Sequence, residues 1–292
     1  MNKLITLIIP SYRSKKLILA HLKKLSNRYK IIIVENSYDT TLKRIIQNKY
    51  KNVNIYLKKN IGYGKAVNFA SKKVKTKYFF VMNPDSKIYQ KTLSNLIQAA
   101  EKIDRFGAIG PIYADKKNKY KKNSIVEVKK IVAAAMLINT KIFNKIKGYD
   151  ENIFLYYEDN DYFAKCNSLN LKLYYITNSF ITHKMVKKVK KNSLNLHSTT
   201  FSNSEEKNST FLIGGWHGQW SKFYFLRKYR GFLIALFICL PNILLNLLQI
   251  IPYTFFDLSK AKYKYFKIEG FFCSLVGMPS FRRSEFDKKY LY

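Results

Sequence analysis

The chain has 292 residues, room for one large domain or for a domain with an appended membrane element. An apolar share of 47% excludes a disordered chain, and three cysteines (Cys166, Cys239, Cys273) without paired spacing exclude a disulfide framework or a zinc ribbon. Part of the net charge of +35 reads as background of a Lys- and Asn-biased composition, and the rest is explained by nucleic acid, an anionic membrane or phosphorylated substrates; lysine is spread along nearly the whole chain, with a local run at 184–191, rather than gathered on one helix or arm, which argues against nucleic acid.

The first apolar run, residues 4–9, ends at Pro10. It is too short for a signal-peptide core, so it reads as a buried strand and the main part of the chain as cytoplasmic. Helical spacing over 15–27 follows, then a strand at 31–34, the polar loop Glu35 to Asp39, and a helix to about 48. A strand at 53–57 leads into the turn Asn60-Ile61-Gly62-Tyr63-Gly64 and a helix over 65–73; a strand at 78–82 ends at Asn83-Pro84-Asp85, before a helix over 90–103. Strands alternating with helices predict an α/β fold on a parallel, doubly wound sheet, whose ligands bind beyond the carboxyl ends of the strands. Glu35, Asp39, Asn83 and Asp85 all fall on that rim.

Further on, residues 132–139 read as a strand, 140–147 as a short helix, 159–169 as a helix and 173–176 as a strand, with His183 shortly after. The Lys-, Asn- and Ser-rich stretch 184–215 reads as a mobile loop. Residues 231–256 carry no charge. That length suits a membrane span, but Pro241, Asn242, Asn246, Gln249 and Pro252 interrupt it, and both flanks are basic (Arg227, Lys228 and Arg230 before; Lys260, Lys262 and Lys264 after). A kinked element dipping into one leaflet fits as well as a span; a buried core helix is the other reading.

Acids are scarce: 18 in all, yet five of them, Asp150, Glu151, Glu158, Asp159 and Asp161, lie within positions 150–161. Such crowding costs stability unless a cation or a catalytic role answers it. The helix dipole favours acids at a helix start, which serves Glu158 and Asp159 but not all five. Asn83-Pro84-Asp85 places a carboxylate where a divalent cation could bridge a diphosphate, and is equally a common turn. Gly62 and Gly64 make a tight turn that would also bring backbone amides and Lys65 near a nucleotide. A lone His183 is a structural residue unless it reaches a metal on Asp85. Trp216-His217-Gly218-Gln219-Trp220, next to an aromatic, basic stretch, suits a membrane interface or, through His217, an acceptor diphosphate.

Taken in order, TLIIPSY, IIIVENSYDT, NIGYGKAVN, YFFVMNPDS, GAIGPIY, GYDENIFLYYEDNDYFAK, the strand before His183 and WHGQWSKFYFLRK resemble the inverting glycosyltransferase family 2, with its GT-A fold, in the rhamnosyltransferase-like subgroup. The resemblance covers about residues 3–230. It implies a donor side at Pro10, Ser11, Tyr12, Glu35, Asp39, Asn60, Gly62, Lys65 and Asn83, with Glu35 and Asp39 on the base or ribose. It implies a Mg²⁺ or Mn²⁺ on Asp85 with His183 facing it, Asp159 as catalytic base, and Asp150, Glu158, Asp161, His217 and Trp220 on the acceptor side. The expected partners are a dTDP- or UDP-linked sugar, a polyprenyl-diphosphate-linked acceptor and the membrane surface, without nucleic acid. Two features depart from the family: Glu35 stands where Asp is usual, and its loop is one residue short. The QxxRW motif of processive members is absent, which implies a single transfer. The expected organisation is a transferase domain over 1–215 and a membrane-associated region over 216–292, at the cytoplasmic face of a bacterial inner membrane. A catalytically inactive nucleotide-sugar-binding scaffold remains the alternative.

Overall fold

A computed structural model describes residues 2–183, 204–284 and 287. One nine-stranded mixed sheet organises the first part of the chain. β1 (Ile5–Ser11), β2 (Lys30–Glu35), β3 (Val53–Leu57) and β4 (Tyr78–Met82) run parallel, linked by α1 (Lys15–Leu25), α2 (Thr40–Lys49) and α3 (Tyr63–Ser71). β5 (Ser86–Ile88), α4 (Thr92–Lys102), β6 (Ala108–Tyr113), β7 (Ile125–Val128), β8 (Ala135–Asn139), α5 (Thr140–Lys145), α6 (Glu158–Ser168) and β9 (Leu173–His183) follow. The strand order is β3-β2-β1-β4-β8-β6-β9-β5, with β7 on β9. The expected α/β sheet, mostly parallel, is present: β3, β2, β1 and β4 form its all-parallel half, and β8 adds antiparallel pairing with β4 and β6 in the other.

β1 and β4, the inner parallel strands, are buried at every position because helices cover both faces, whereas β3 alternates, with Asn54 exposed between Val53 and Ile55. α4 shows the complementary pattern. It buries Leu93, Leu96, Ile97 and Ala100, a stripe at helical spacing, into the same core as Ile5, Leu7, Phe80 and Ile109.

β9 is longer than expected. Its pairing with β6 shifts register between Pro111, opposite Ile176, and Ile112, opposite Phe180. The irregularity falls at Thr177-Asn178-Ser179, where the apolar run in the sequence breaks off; the strand resumes beyond it and carries His183.

The described chain divides into two compact units: residues 2–61, 65–149 and 162–183 form the first, and residues 62–64, 150–161 and 204–284 belong to the second. The second is built on α7 (Ser204–Arg230), α8 (Phe232–Phe256) and α9 (Leu258–Leu275). Phe223 and Leu226 of α7, Ala235, Cys239 and Ile243 of α8, and Ile268 and Phe271 of α9 make its core. The loop expected over 184–215 is corrected from 204 onward, where α7 begins; 184–203, with the lysine run, lie outside the described residues. The expected boundary at 215/216 falls inside α7. α8 is one continuous helix that includes both prolines. It is long and apolar enough to cross a membrane, with a mean hydropathy of 2.2, and only 22% of its most apolar window is buried, so it is not a core helix.

Candidate active site

In the first unit, Asn83-Pro84-Asp85 links β4 to β5. β5 pairs antiparallel with β9 so that Ser86 stands opposite His183. That register puts the imidazole next to the preceding residue: His183 Nε2 lies 3.0 Å from Asp85 Oδ1, both side chains almost fully enclosed. The turn is held by three hydrogen bonds: Asn83 N–H donates to Ala134 O (2.9 Å), Ser86 Oγ to the same carbonyl (3.0 Å), and His21 Nε2 to Pro84 O (2.7 Å). Burial lowers the His21 pKa, so it is a neutral clamp. His21 carries no motif and was not singled out from the sequence; 63 residues separate it from its partner. Asp85 Oδ2 and Asn83 Oδ1 are buried and accept no hydrogen bond among the described residues. A buried orphan carboxylate oxygen is unstable alone and is a ready ligand for a hard divalent cation. Among the described residues no three His, Cys, Asp or Glu gather at one point. Asp85 and His183 are therefore the pair of described side chains whose chemistry fits a divalent cation here.

On the same unit, Glu35 ends β2 fully buried. Ser11 Oγ donates to its Oε2 (2.5 Å), and Ser37 donates to Oε1 from both its backbone N–H (2.8 Å) and its hydroxyl. Burial raises its pKa, and the serine hydrogen bonds oppose the rise. The carboxylate thus organises the loop after β2. Asp39 caps α2, accepting from Leu42 N–H (2.8 Å). Pro10 and Ser11 close β1, Tyr12 follows, and Asn60 and Lys65 are partly exposed on either side of the glycine turn.

In the second unit, Gly62 has φ +87°, and a Cβ there would meet Phe154 O at 2.4 Å, so no other residue fits. The acidic segment lies here as well. Lys228, in the last turn of α7, donates to Asp150 Oδ2 (2.7 Å) and to Asp161 Oδ1 (2.6 Å). Tyr224 OH donates to Asp150 Oδ2 (3.0 Å) and Tyr229 OH to Asp161 Oδ1 (3.0 Å). Burial would raise the Asp150 pKa, but Lys228, Asn152 and Tyr224 outweigh it and hold it low. The same two acids overcome the desolvation of Lys228 and raise its pKa. Part of the crowding is therefore answered by one lysine, 78 and 67 residues away along the chain.

Between those two acids the backbone is forced. Tyr156 and Tyr157 both have positive φ, +64° and +66°, a left-handed conformation that side chains rarely adopt. It turns the chain abruptly into α6, whose first residues are Glu158 and Asp159. Asp159 is partly exposed, and its Oδ1 accepts from Asn160 N–H (2.8 Å) and Asn160 Nδ2 (3.0 Å). Glu158 Oε2 is enclosed, without a hydrogen-bond partner among the described residues. Burial, reinforced by the neighbouring Asp159, pushes its pKa up to about 8.

His217 and Trp220, expected on the acceptor side, lie in the interior of this unit. His217 is buried, donates from Nε2 to Arg282 O (2.8 Å) and accepts at Nδ1 from Ser280 Oγ (2.9 Å). Burial lowers its pKa to about 3, so it is neutral. Trp220 Nε1 donates to Met278 O (2.9 Å).

Glycosyl transferase family 2 is matched over residues 6–174. No curated protein matches the chain. Among solved structures, the mannosyltransferase PcManGT from Pyrobaculum calidifontis in complex with GDP-Man and Mn²⁺ is 10% identical with a TM-score of 0.56, over 93% of this chain and 86% of that one. GalNAc-T7 with UDP, GalNAc and Mn²⁺ is 11% identical with a TM-score of 0.54, over 77% of this chain; this chain spans about half of that one, 51%. At these identities the likeness is one of fold.

Proposed function

We propose, from the premise that this chain belongs to glycosyl transferase family 2, that it moves a single sugar from a nucleotide-diphosphate sugar to a hydroxyl of a lipid-linked saccharide, with inversion at the anomeric carbon. The observation that carries the donor half is Asp85: a buried carboxylate with one orphan oxygen, beside His183, at the end of β4. Asp85 and His183 would hold a Mg²⁺ or Mn²⁺, which neutralises charge on the departing nucleotide diphosphate. Asn83, with its own buried acceptor, would take a donor hydroxyl. The donor is dTDP- or UDP-linked, with rhamnose among the candidate sugars.

Asp159 is the base. Its carboxylate takes the proton of the attacking hydroxyl as the bond to the sugar forms and the bond to the diphosphate breaks. Asn160 fixes the carboxylate through Oδ1, and the Lys228 ion pairs fix the ends of the segment that carries it. Glu158, neutral beside it, does not compete for the proton. α8, long and apolar enough for a membrane, supports an acceptor presented there; the reading places it at the cytoplasmic leaflet of a bacterial inner membrane.

General-base catalysis is worth about 10²–10⁴-fold. Asp159→Asn is therefore expected to lower turnover by about that factor while nucleotide binding persists. A panel of nucleotide sugars, scored with Mn²⁺ for thermal stabilisation and slow hydrolysis, identifies the donor; its Mn²⁺-dependent stabilisation is expected to disappear in Asp85→Asn. If no nucleotide sugar stabilises the protein, or if Asp159→Asn turns over normally, the reading fails. An inactive scaffold would bind the donor without hydrolysing it.

A further inference from the structure

α8 meets the length and composition of a transmembrane span, yet its neighbours are those of a helix lying in the plane of a membrane. Its buried face, Ala235, Cys239, Ile243 and Asn246, packs against α7 and α9. The contacts fix the register of all three. α7 runs antiparallel to α8: Phe223 and Leu226 share a core with Ala235 and Cys239, and Gln219 Nε2 donates to Asn242 Oδ1 (3.4 Å). α9 also runs antiparallel: Ile268 and Phe271 join that core, Lys267 Nζ donates to Asn242 Oδ1 (3.5 Å), and Lys264 Nζ to Gln249 Oε1 (2.7 Å).

A polar seam thus crosses the middle of α8. Asn242, Asn246 and Gln249 belong to it from α8, Gln219 from α7, and Lys264 and Lys267 from α9. If α8 crossed a bilayer, both lysines and the adjoining turns of α7 and α9 would be carried to the hydrocarbon centre, where charge is costly. Among the described residues the opposite face has no such partner. Leu233, Phe237, Leu248, Ile251, Phe255 and Phe256 are each at least 66% exposed. They run from one end of the helix to the other, and exposed basic residues stand just beyond both ends: Arg227 and Arg230 before, Lys260 and Lys262 after. A span would place those two clusters on opposite sides of the membrane. An in-plane helix sets both against one layer of headgroups, with the apolar row between them. The prolines agree. Pro241 and Pro252 cannot donate to the carbonyls of Phe237 and Leu248, both on the exposed face, where interfacial water can serve them.

We infer that α8 docks flat into one leaflet of an anionic phospholipid bilayer through its Leu233–Phe256 face, with α7 and α9 on the aqueous side, and does not span. This inference rests on the membrane reading of the proposed function and specifies its geometry. The test uses the full chain with single cysteines introduced before and after α8, Arg230→Cys and Ser259→Cys, bound to sealed vesicles of phosphatidylethanolamine and phosphatidylglycerol. A membrane-impermeant thiol reagent is applied outside, and labelling is read peptide by peptide by mass spectrometry, so the native cysteines do not interfere. Flotation with the vesicles and labelling of both positions before detergent is the expected result. Flotation with one position protected until detergent is added would overturn the in-plane geometry and leave membrane association standing. Failure to float would overturn both.

Discussion

At the scale of single residues, Lys228 and Glu158 show how the acidic segment is tolerated. Lys228 is one-third exposed, Asp161 not at all and Asp150 10%. Removing one partner of a buried ion pair strands a charge, at about 3–5 kcal/mol; the exposure of Lys228 lowers that to about 2 kcal/mol. Lys228→Met should lower the unfolding free energy measured in urea by about that amount, and adding Asp161→Asn should restore part of it. Glu158 behaves oppositely. Its folded pKa is raised from the ordinary 4.5 to about 8 because the charged form is enclosed beside Asp159. The folded state therefore holds its proton more tightly. The contribution to stability is full below about pH 4.5 and is lost as pH rises through about 8. Glu158→Gln keeps the neutral shape at every pH, so its melting temperature should exceed that of the parent above pH 8, and the two should converge in mild acid. A constant difference across that range would show that Glu158 does not titrate there. The acids at 150–161 were conspicuous in the sequence, but their division of labour was not, because the cation that answers two of them is distant in the chain.

At the scale of elements, α7 is a helix that its own composition hides. Gly214, Gly215 and Gly218 lower its intrinsic stability by about 1 kcal/mol each, and its first turns fall in the Lys-, Asn- and Ser-rich stretch that reads as a loop. Packing gives two of the three a purpose. A Cβ on Gly214 would stand 3.1 Å from Tyr156 OH, and one on Gly215 would stand 2.5 Å from Tyr263. Across the interface, a Cβ on Gly270 of α9 would meet Trp216 O at 2.2 Å. That obstacle is backbone and cannot rotate away. Gly270→Ala should therefore force α7 and α9 apart and cost about 1–3 kcal/mol by denaturation. Gly218 meets only Tyr156 Cδ2, at 3.9 Å, so Gly218→Ala should stabilise by up to about 1 kcal/mol. β9 teaches the same lesson in the sheet. Its four apolar residues were legible, but the strand continues past a bulge, and only the ladder with β5 brings His183 to Asp85.

At the scale of the whole molecule, the charge of +35 acts at a distance rather than through pairs. Each lysine or arginine near an anionic surface contributes about 1 kcal/mol, and salt screens that attraction over a Debye length of about 8 Å at physiological ionic strength. Binding to phosphatidylglycerol-containing vesicles should therefore weaken at least tenfold between 0.05 and 0.5 M NaCl, measured by co-sedimentation, and retain an apolar remainder from α8. Salt-independent binding would assign the whole attachment to α8.

Much of this protein was readable without coordinates. Continuous apolar runs mark strands covered on both faces, because such strands have no wet side to alternate with. β1, β2, β4 and the turn that carries Asp85 came directly from that pattern, and the helix start that carries Asp159 came from the crowding of acids. Tertiary structure alone decided which polar groups are already engaged. Glu35 is consumed by Ser11 and Ser37, His217 by Ser280 and Arg282, and Asp150 and Asp161 by Lys228. It also decided that the uncharged stretch 231–256 has a partnered face and a bare one. Hydrophobic periodicity is a local property written into each segment, whereas the pairing of charges and hydrogen bonds depends on residues that only the completed fold brings within three ångströms.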